Sequence, residues 1–313
     1  MWHGERSPTE TYPNDPHKNF NWSGGWGHLT NLRAYYNDFL PELYWHEEIK
    51  VISSYADRCL MSAELVAAGL FPPKGNQIWN YELLWQPIPI IYLPRSQDTL
   101  IAMKAECEKY DQMFKEVMDS QKVQNILSEN KYLLKYLSEN SKMEVNNLGT
   151  VETLFNTLEI EKLNNLTLSL WINDTVMETM KNLGAQNLAL YSETEYMKRM
   201  KGGVLLKTVA VSMEKTLEGK KEPLLFLYSG HDLTIVHVLR SLNLTNTIKP
   251  SFGASLVFEL YANSEVKIMY KNSWDGITQE KYMHFCTAPC EFNAWKKALQ
   301  PVLPINWDEE CRI

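Results

Sequence analysis

The sequence predicts an α/β domain interrupted by a helical insertion, on three observations. The apolar run Glu222-Pro-Leu-Leu-Phe-Leu-Tyr228 reads as a buried strand and passes through Ser229-Gly-His-Asp232 into an apolar helix from Leu233 to Leu242. A long stretch before it, roughly residues 99–219, is charged and helical with few breakers. After it, Ala254–Tyr261 and Val266–Tyr270 read as two strands joined by a polar turn at Asn263-Ser264.

Along the chain, residues 1–30 read as loop, punctuated by Pro8, Pro13, Pro16 and Ser23-Gly-Gly-Trp-Gly27. Leu32, Tyr35, Tyr36, Leu40 and Leu43 stand at near-helical spacing within a mixed segment, 31–50. Ser54-x-x-Asp57 has the form of a capping box and opens an apolar helix to about Leu70, ended by Pro72-Pro73. Ile88–Leu93 reads as a short strand. The helical block breaks near Trp171–Asp174 and at Gly202-Gly203. The economical division is a core of 1–98 and 200–313 with a helical cap, 99–199, inserted in it.

Bulk properties exclude several classes. With 44% hydrophobic and 22% charged residues over 313 positions, disorder is not the default. A formal net charge of −7 without a Lys/Arg-rich run argues against nucleic acid as a partner. No apolar stretch is long enough to cross a bilayer, and Met1-Trp-His-Gly-Glu-Arg6 does not resemble a signal peptide. Phosphate-loop, GxSxG and HExxH patterns are absent, and His46-Glu47-Glu48 reads as a solvated patch.

Five cysteines form no CxxC or zinc-type cluster, and three of them, Cys286, Cys290 and Cys311, fall in the last 28 residues. Asn-x-Ser/Thr sequons stand at Asn21, Asn165, Asn173 and Asn243. Together, sequons and a cysteine-rich tail point to an oxidising, secretory setting.

Two stretches carry candidate chemistry: His3-Gly-Glu-Arg6-Ser-Pro8 in a loop, and Tyr228-Ser-Gly-His231-Asp232 at the C-terminal end of a strand. In open α/β sheets that edge is where ligands bind. Taken singly, His3 reads as an ordinary loop histidine, Asp232 as a helix cap and Arg58 as a surface ion-pair partner. Their co-occurrence, far apart in one chain, changes the balance.

The motifs resemble the acid phosphatase branch of the histidine phosphatases. Trp2-His3-Gly4-Glu5-Arg6-Ser7-Pro8 is similar to that family's Arg-His-Gly-x-Arg-x-Pro, and Ser229-Gly230-His231-Asp232 to its His-Asp motif. Asp57-Arg58-Cys59-Leu60-Met61-Ser62-Ala63 through Phe71-Pro72-Pro73, Leu84-Trp-Gln-Pro-Ile-Pro89, Gly202-Gly-Val-Leu205 and Cys286-Thr-Ala-Pro-Cys290 extend the likeness over nearly the whole chain.

The resemblance implies a central, mostly parallel sheet flanked by helices, with a helical cap. It implies a phosphoric monoester hydrolase in which His3 attacks phosphorus and becomes phosphohistidine, splitting a hard hydrolysis into two steps. Arg6, Arg58 and His231 would hold the phosphoryl oxygens, where a guanidinium fork matches phosphate geometry. Asp232, protonated in the pocket, would protonate the leaving oxygen and then help water attack the phosphoenzyme. No metal or cofactor is implied, because fixed cations balance the transferred charge. Also implied are Cys107–Cys311 and Cys286–Cys290 disulfides with Cys59 unpaired, glycosylation at the sequons, foremost Asn165, and a secreted or lysosomal location. A small phosphate monoester or a phosphoprotein would be the substrate, and a homodimer the assembly.

Three departures from the family pattern stand out. Trp2 replaces the arginine before the nucleophile, a member of the phosphate-binding set, which lowers the expected turnover. The strand that leads into the first motif is missing, as from a gene model or splice form that starts at an internal Met. The stretch from Leu29 to Arg33 is shorter by part of a helix. These departures define the alternative: a secreted pseudoenzyme of the same fold that binds ligands without turnover.

Overall fold

The computed structural model describes residues 12–17, 41–245, 247–273, 276–284, 286 and 288–313. Trp2, His3, Arg6, Asn21 and the helical spacing expected over 31–40 lie outside them.

The first strand, β1 (Ile49–Ser53), was not expected from the periodicity. Its Ile49 and Val51 are buried and its Lys50 exposed, a half-buried alternation only five residues long. Helix α1 (Asp57–Leu70) follows and packs Ala63 back onto the strand through an apolar cluster with Ile49, Val51 and Phe71. The chain returns as β2 (Ile90–Tyr92), shorter than Ile88–Leu93.

The helical stretch resolves into α2 (Glu108–Met118), α3 (Gln121–Glu129), α4 (Lys131–Ser141), α5 (Leu148–Leu163), α6 (Asp174–Leu190), α7 (Glu195–Met200) and α8 (Gly202–Leu217). Helices α5 and α6 start on asparagine caps, Asn147 and Asn173, whose side chains accept the Thr150 and Val176 amides. The break before α8 has a packing reason. A Cβ on Gly202 would sit 2.3 Å from the His237 carbonyl oxygen, and one on Gly203 would sit 1.9 Å from that of Val302. Leu137, Leu148, Val151, Leu154, Leu158 and Met180 centre a core belonging to α3–α6. Residues 12–17 are pinned to it: the Asn14 amide donates to the Ser141 carbonyl (3.0 Å), and Asn14 Nδ2 donates to that of Asn140 (2.7 Å).

The chain then forms β3 (Leu225–Ser229), α9 (Asp232–Ser241), β4 (Ser255–Leu260), β5 (Val266–Lys271), β6 (Thr278–Lys281), α10 (Phe292–Leu299) and α11 (Trp307–Glu310). One sheet is parallel in the order β2-β1-β3, with Ser53 opposite Ser229. The second is the antiparallel meander β4-β5-β6, so the expected hairpin gains a third strand. β3 is half-buried rather than fully buried. Among the described residues it stands at an edge of its sheet, so neighbours cover it on one side only.

Trp295 of α10 anchors a core with α8, α9 and β5, and Ile160 of α5 packs on Ile235 and Leu239 of α9. Cys107 pairs with Cys311 and Cys286 with Cys290, while Cys59 is buried and unpaired with another cysteine. The first bridge ties the tail to the start of α2, where the Lys109 amide also donates to the Cys311 carbonyl (3.2 Å). Among the described residues no helix is long and apolar enough to cross a membrane.

Candidate active site

The parallel pair β1 and β3 ends on matched serines, and each strand turns there into a helix. The Ser54 amide donates to the Ser229 carbonyl (3.0 Å), and Ser229 Oγ donates to the Cys59 carbonyl (2.8 Å). The C-terminal ends of the two strands are thereby locked together, at the sheet edge where α/β folds bind ligands. From this edge α1 carries Arg58 in its first turn, half-buried, and α9 begins at Asp232 directly after His231. Two helix N-termini beside each other favour an anion.

Ser54 does not cap α1. The helix starts at Asp57 with Ala56 before it and no side-chain cap. Instead Ser54 Oγ accepts the Ala56 amide (3.2 Å) and lies 2.9 Å from His231 Nε2. The expected capping box thus yields to a tertiary contact: the hydroxyl is spent on orienting the imidazole. Behind it, Cys59 Sγ donates to the Gly230 carbonyl (3.3 Å). Burial pushes the Cys59 thiol up to about 11 against the Ser54 contact, so it stays protonated and inert near neutral pH.

The turn between β3 and α9 is crowded. A Cβ on Gly230 would come 2.8 Å from Ile101 Cγ2 and 3.0 Å from Thr234 Oγ1. Thr234 Oγ1 accepts the His231 amide (3.1 Å) and donates to the Ile101 carbonyl (2.7 Å). Ile101 is itself fixed by Asp98, whose carboxylate accepts the amides of Leu100, Ile101 and Ala102 at 2.9, 2.7 and 2.8 Å. The rigid 98–102 loop therefore buttresses the His-Asp turn.

Asp232 occupies a charged, enclosed position. Its Oδ1 accepts the Leu233 amide (2.8 Å), and its Oδ2 accepts from Lys249 Nζ (3.0 Å). Burial opposes its ionisation, but Lys249, the Leu233 amide and His231 outweigh it, and the carboxyl is held down to about 2. In this geometry the Lys249 ammonium on Asp232 Oδ2 favours the carboxylate over the protonated form that the resemblance implies. Lys249 also contacts Glu152 Oε1 of α5 (3.3 Å), whose Oε2 accepts from Asn187 Nδ2 of α6 (2.7 Å). Sequence reasoning missed Lys249, Glu152 and Asn187. Lys249 lies in a polar loop without a motif, and the two others face it only because the helical stretch folds back over α9.

Of the expected site residues, the structure brings His231 and Asp232 beside the helix that carries Arg58; His3 and Arg6 lie outside the described residues. Asn165, Asn173 and Asn243 are exposed.

Residues 2–271 match the histidine phosphatase superfamily (branch 2), a span that includes both the His3 and the His231 motifs. The rat prostatic acid phosphatase is 31% identical over 329 residues, covering 99% of this chain and 86% of that protein. The human lysosomal acid phosphatase is 31% identical over 332 residues, covering 99% of this chain and 78% of that protein. Among solved structures, the phytase from Citrobacter braakii superposes with a TM-score of 0.70 at 15% identity, covering 100% of this chain and 97% of that one; it speaks for the fold alone. Sequence span, the two motifs and the shared fold agree, and the chain belongs to branch 2 of the histidine phosphatase superfamily.

Proposed function

We propose that this chain is an acid phosphatase that hydrolyses phosphate monoesters through a phosphohistidine. The observation that carries the reading is the pairing of a family match across both motifs with a His231-Asp232 turn locked beside the N-terminus of the Arg58 helix. In this reading His3 is the nucleophile, Arg6, Arg58 and His231 hold the phosphoryl oxygens, and Asp232 handles the proton. Neutral His3 imidazole attacks phosphorus in line, the P–N bond forming as the P–O ester bond breaks, and the departing oxygen takes its proton from the acid form of Asp232, leaving the carboxylate. Water then attacks phosphohistidine and gives its proton to the Asp232 carboxylate. Guanidinium and imidazolium donors balance charge in transfer, which is the role electrostatic preorganisation plays in phosphoryl chemistry. The comparisons do not favour binding without turnover over catalysis.

The substrate class is a small phosphate monoester or a phosphoprotein. A net charge of −7 argues against a polyanion such as phytate. We read 99–199 as the cap over the 1–98 and 200–313 core, supported by the separate apolar core of α3–α6. Two disulfides and exposed sequons at Asn165, Asn173 and Asn243 support a glycosylated protein of a secreted or lysosomal compartment, with Asn21 as a fourth glycosylation site. Exposed Trp79, Tyr81 and Leu84, with Ile91 and Tyr92 of β2, which stands at a sheet edge among the described residues, support a homodimer.

The test is hydrolysis of a chromogenic aryl phosphate between about pH 4 and pH 7, a window bracketing a phosphate pKa of roughly 6. Turnover lost in His3→Ala and in Asp232→Asn supports the reading. A folded chain that cleaves no ester over that window rejects it in favour of binding alone.

A further inference from the structure

The Asp232 carboxylate is one end of a buried chain of polar contacts that begins in the helical stretch. Asn187 Nδ2 donates to Glu152 Oε2 (2.7 Å), Glu152 Oε1 faces Lys249 Nζ (3.3 Å), and Lys249 Nζ donates to Asp232 Oδ2 (3.0 Å). The Lys249 side chain is 2% exposed. An ammonium so placed is costly to bury unless fixed anions surround it, so its position follows from the two carboxylates and theirs from it. We propose that Lys249 is a positioning residue for the reaction: it clamps Asp232 in one orientation, as a carboxylate, and links that carboxylate to α5 and α6 through Glu152 and Asn187.

The inference rests on the reading of Asp232 as the proton-handling group. With Oδ1 on the Leu233 amide and Oδ2 on Lys249, the plane of the carboxyl group is fixed from both sides. A carboxylate held this way is ready to take a proton from water in the second half of the reaction. Donating a proton in the first half requires Asp232 to be protonated against the pull of Lys249. Lys249 thus biases Asp232 toward the base role.

Other charges face the cluster. His231 before α9, His237 of α9, Lys104 from the loop before α2 and Cys59 of α1 act on Asp232; Glu159 of α5 acts on Lys249; Tyr191, after α6, faces Glu152. Among the described residues, Lys249 is the cation in direct contact with both acids. Burial first, and then the neighbouring Asp232 charge, push the Glu152 carboxyl up, against Lys249 and Asn187. Lys249 lowers both carboxyls, so the difference between them comes from the cost of burying Glu152, which prevails there, and from the Asp232 charge beside it.

The experiment compares pH–rate profiles of the full chain, Lys249→Met and Lys249→Arg, with Asp232→Asn marking which limb belongs to Asp232. In parallel, the Asp232 carboxyl is titrated by carbon NMR. In Lys249→Met that limb and the NMR midpoint move up by about one pH unit or more, and kcat at pH 5 falls about tenfold with KM changed less than about threefold. Lys249→Arg restores both. Should Lys249→Met misfold, Lys249→Met/Glu152→Leu, which leaves no unpaired buried carboxylate beside the site, carries the same test. An unmoved limb and midpoint, or an Arg variant as impaired as Met, overturns the proposal. If the full chain cleaves no ester, the phosphatase reading fails by itself. The NMR midpoint then decides for Lys249: a rise in Lys249→Met supports the clamp, and no change sinks it.

Discussion

Ser54 Oγ and His231 Nε2 stand 2.9 Å apart and join the ends of β1 and β3 across 177 positions of sequence. Because Ser54 is fully buried, this hydroxyl holds the imidazole with little competition from water. Ser54→Ala is expected to lower kcat/KM for an aryl phosphate about 5–10-fold, the scale of one lost hydrogen bond, with the loss mainly in KM. Steady-state kinetics beside a circular-dichroism check of folding measures it.

Gly230 leaves no room for a side chain. Gly230→Ala must displace Ile101 or Thr234 and so disturb the amide and hydroxyl contacts that seat His231. A loss of about 1–3 kcal/mol in stability is expected, together with a drop in turnover larger than that of Ser54→Ala. Denaturant unfolding and initial rates check both parts.

Glu161 of α5 is 1% exposed and lies beside Asp15. Burial first, and then the Asp15 charge, push its carboxyl up to about 8. A raised folded-state value means stability that is full below the unfolded value of roughly 4.3 and is lost as pH rises through about 8. Glu161→Gln should therefore match the parent chain at pH 5 and exceed it at pH 8, by about 2–4 kcal/mol. Urea midpoints at the two pH values decide it; equal midpoint differences at both would contradict the account. The sign suits a protein that works in acid.

The Cys107–Cys311 bridge closes a loop of 204 positions and ties the tail to the start of α2. Cys107→Ser/Cys311→Ser is expected to cost about 2–5 kcal/mol. Because both cysteines pack with Tyr110, Met197 and Met200 away from the His231 turn, kcat at low temperature should change less than twofold while Tm falls. Calorimetry and rates measured on one preparation separate the two effects.

Trp2 stands where the family pattern has arginine. Trp2→Arg should raise kcat/KM on the order of 10–100-fold by adding a charged donor to the phosphoryl oxygens. An unchanged rate would remove Trp2 as the limiting departure.

The elements that were legible in the sequence carry continuous local signals. The run from Glu222 into Ser229-Gly-His-Asp232 and the helix after it is apolar, then turn-forming, then periodic, and the structure follows its order, with the strand starting three residues later at Leu225 and the helix one residue earlier at Asp232. β1 was not legible because five residues with three buried positions cannot stand out beside the near-helical spacing of Leu32, Tyr35 and Leu40. Ser54-x-x-Asp57 was misread because a local rule gave way to a tertiary partner: His231 takes the hydroxyl that would have capped the helix. Lys249 gave no signal at all. A lysine before Pro250 looks solvated, and only the approach of α5 to α9 turns it into a buried counter-ion.

The covalent intermediate tests the central claim most directly. The chain is mixed with an aryl phosphate at about pH 5, quenched in alkali, where phosphohistidine persists, and mapped by mass spectrometry. The account predicts phosphate on His3, released faster in the full chain than in Asp232→Asn and absent in His3→Ala. Ester cleavage with no phosphate on His3, or with phosphate on another residue, would contradict it.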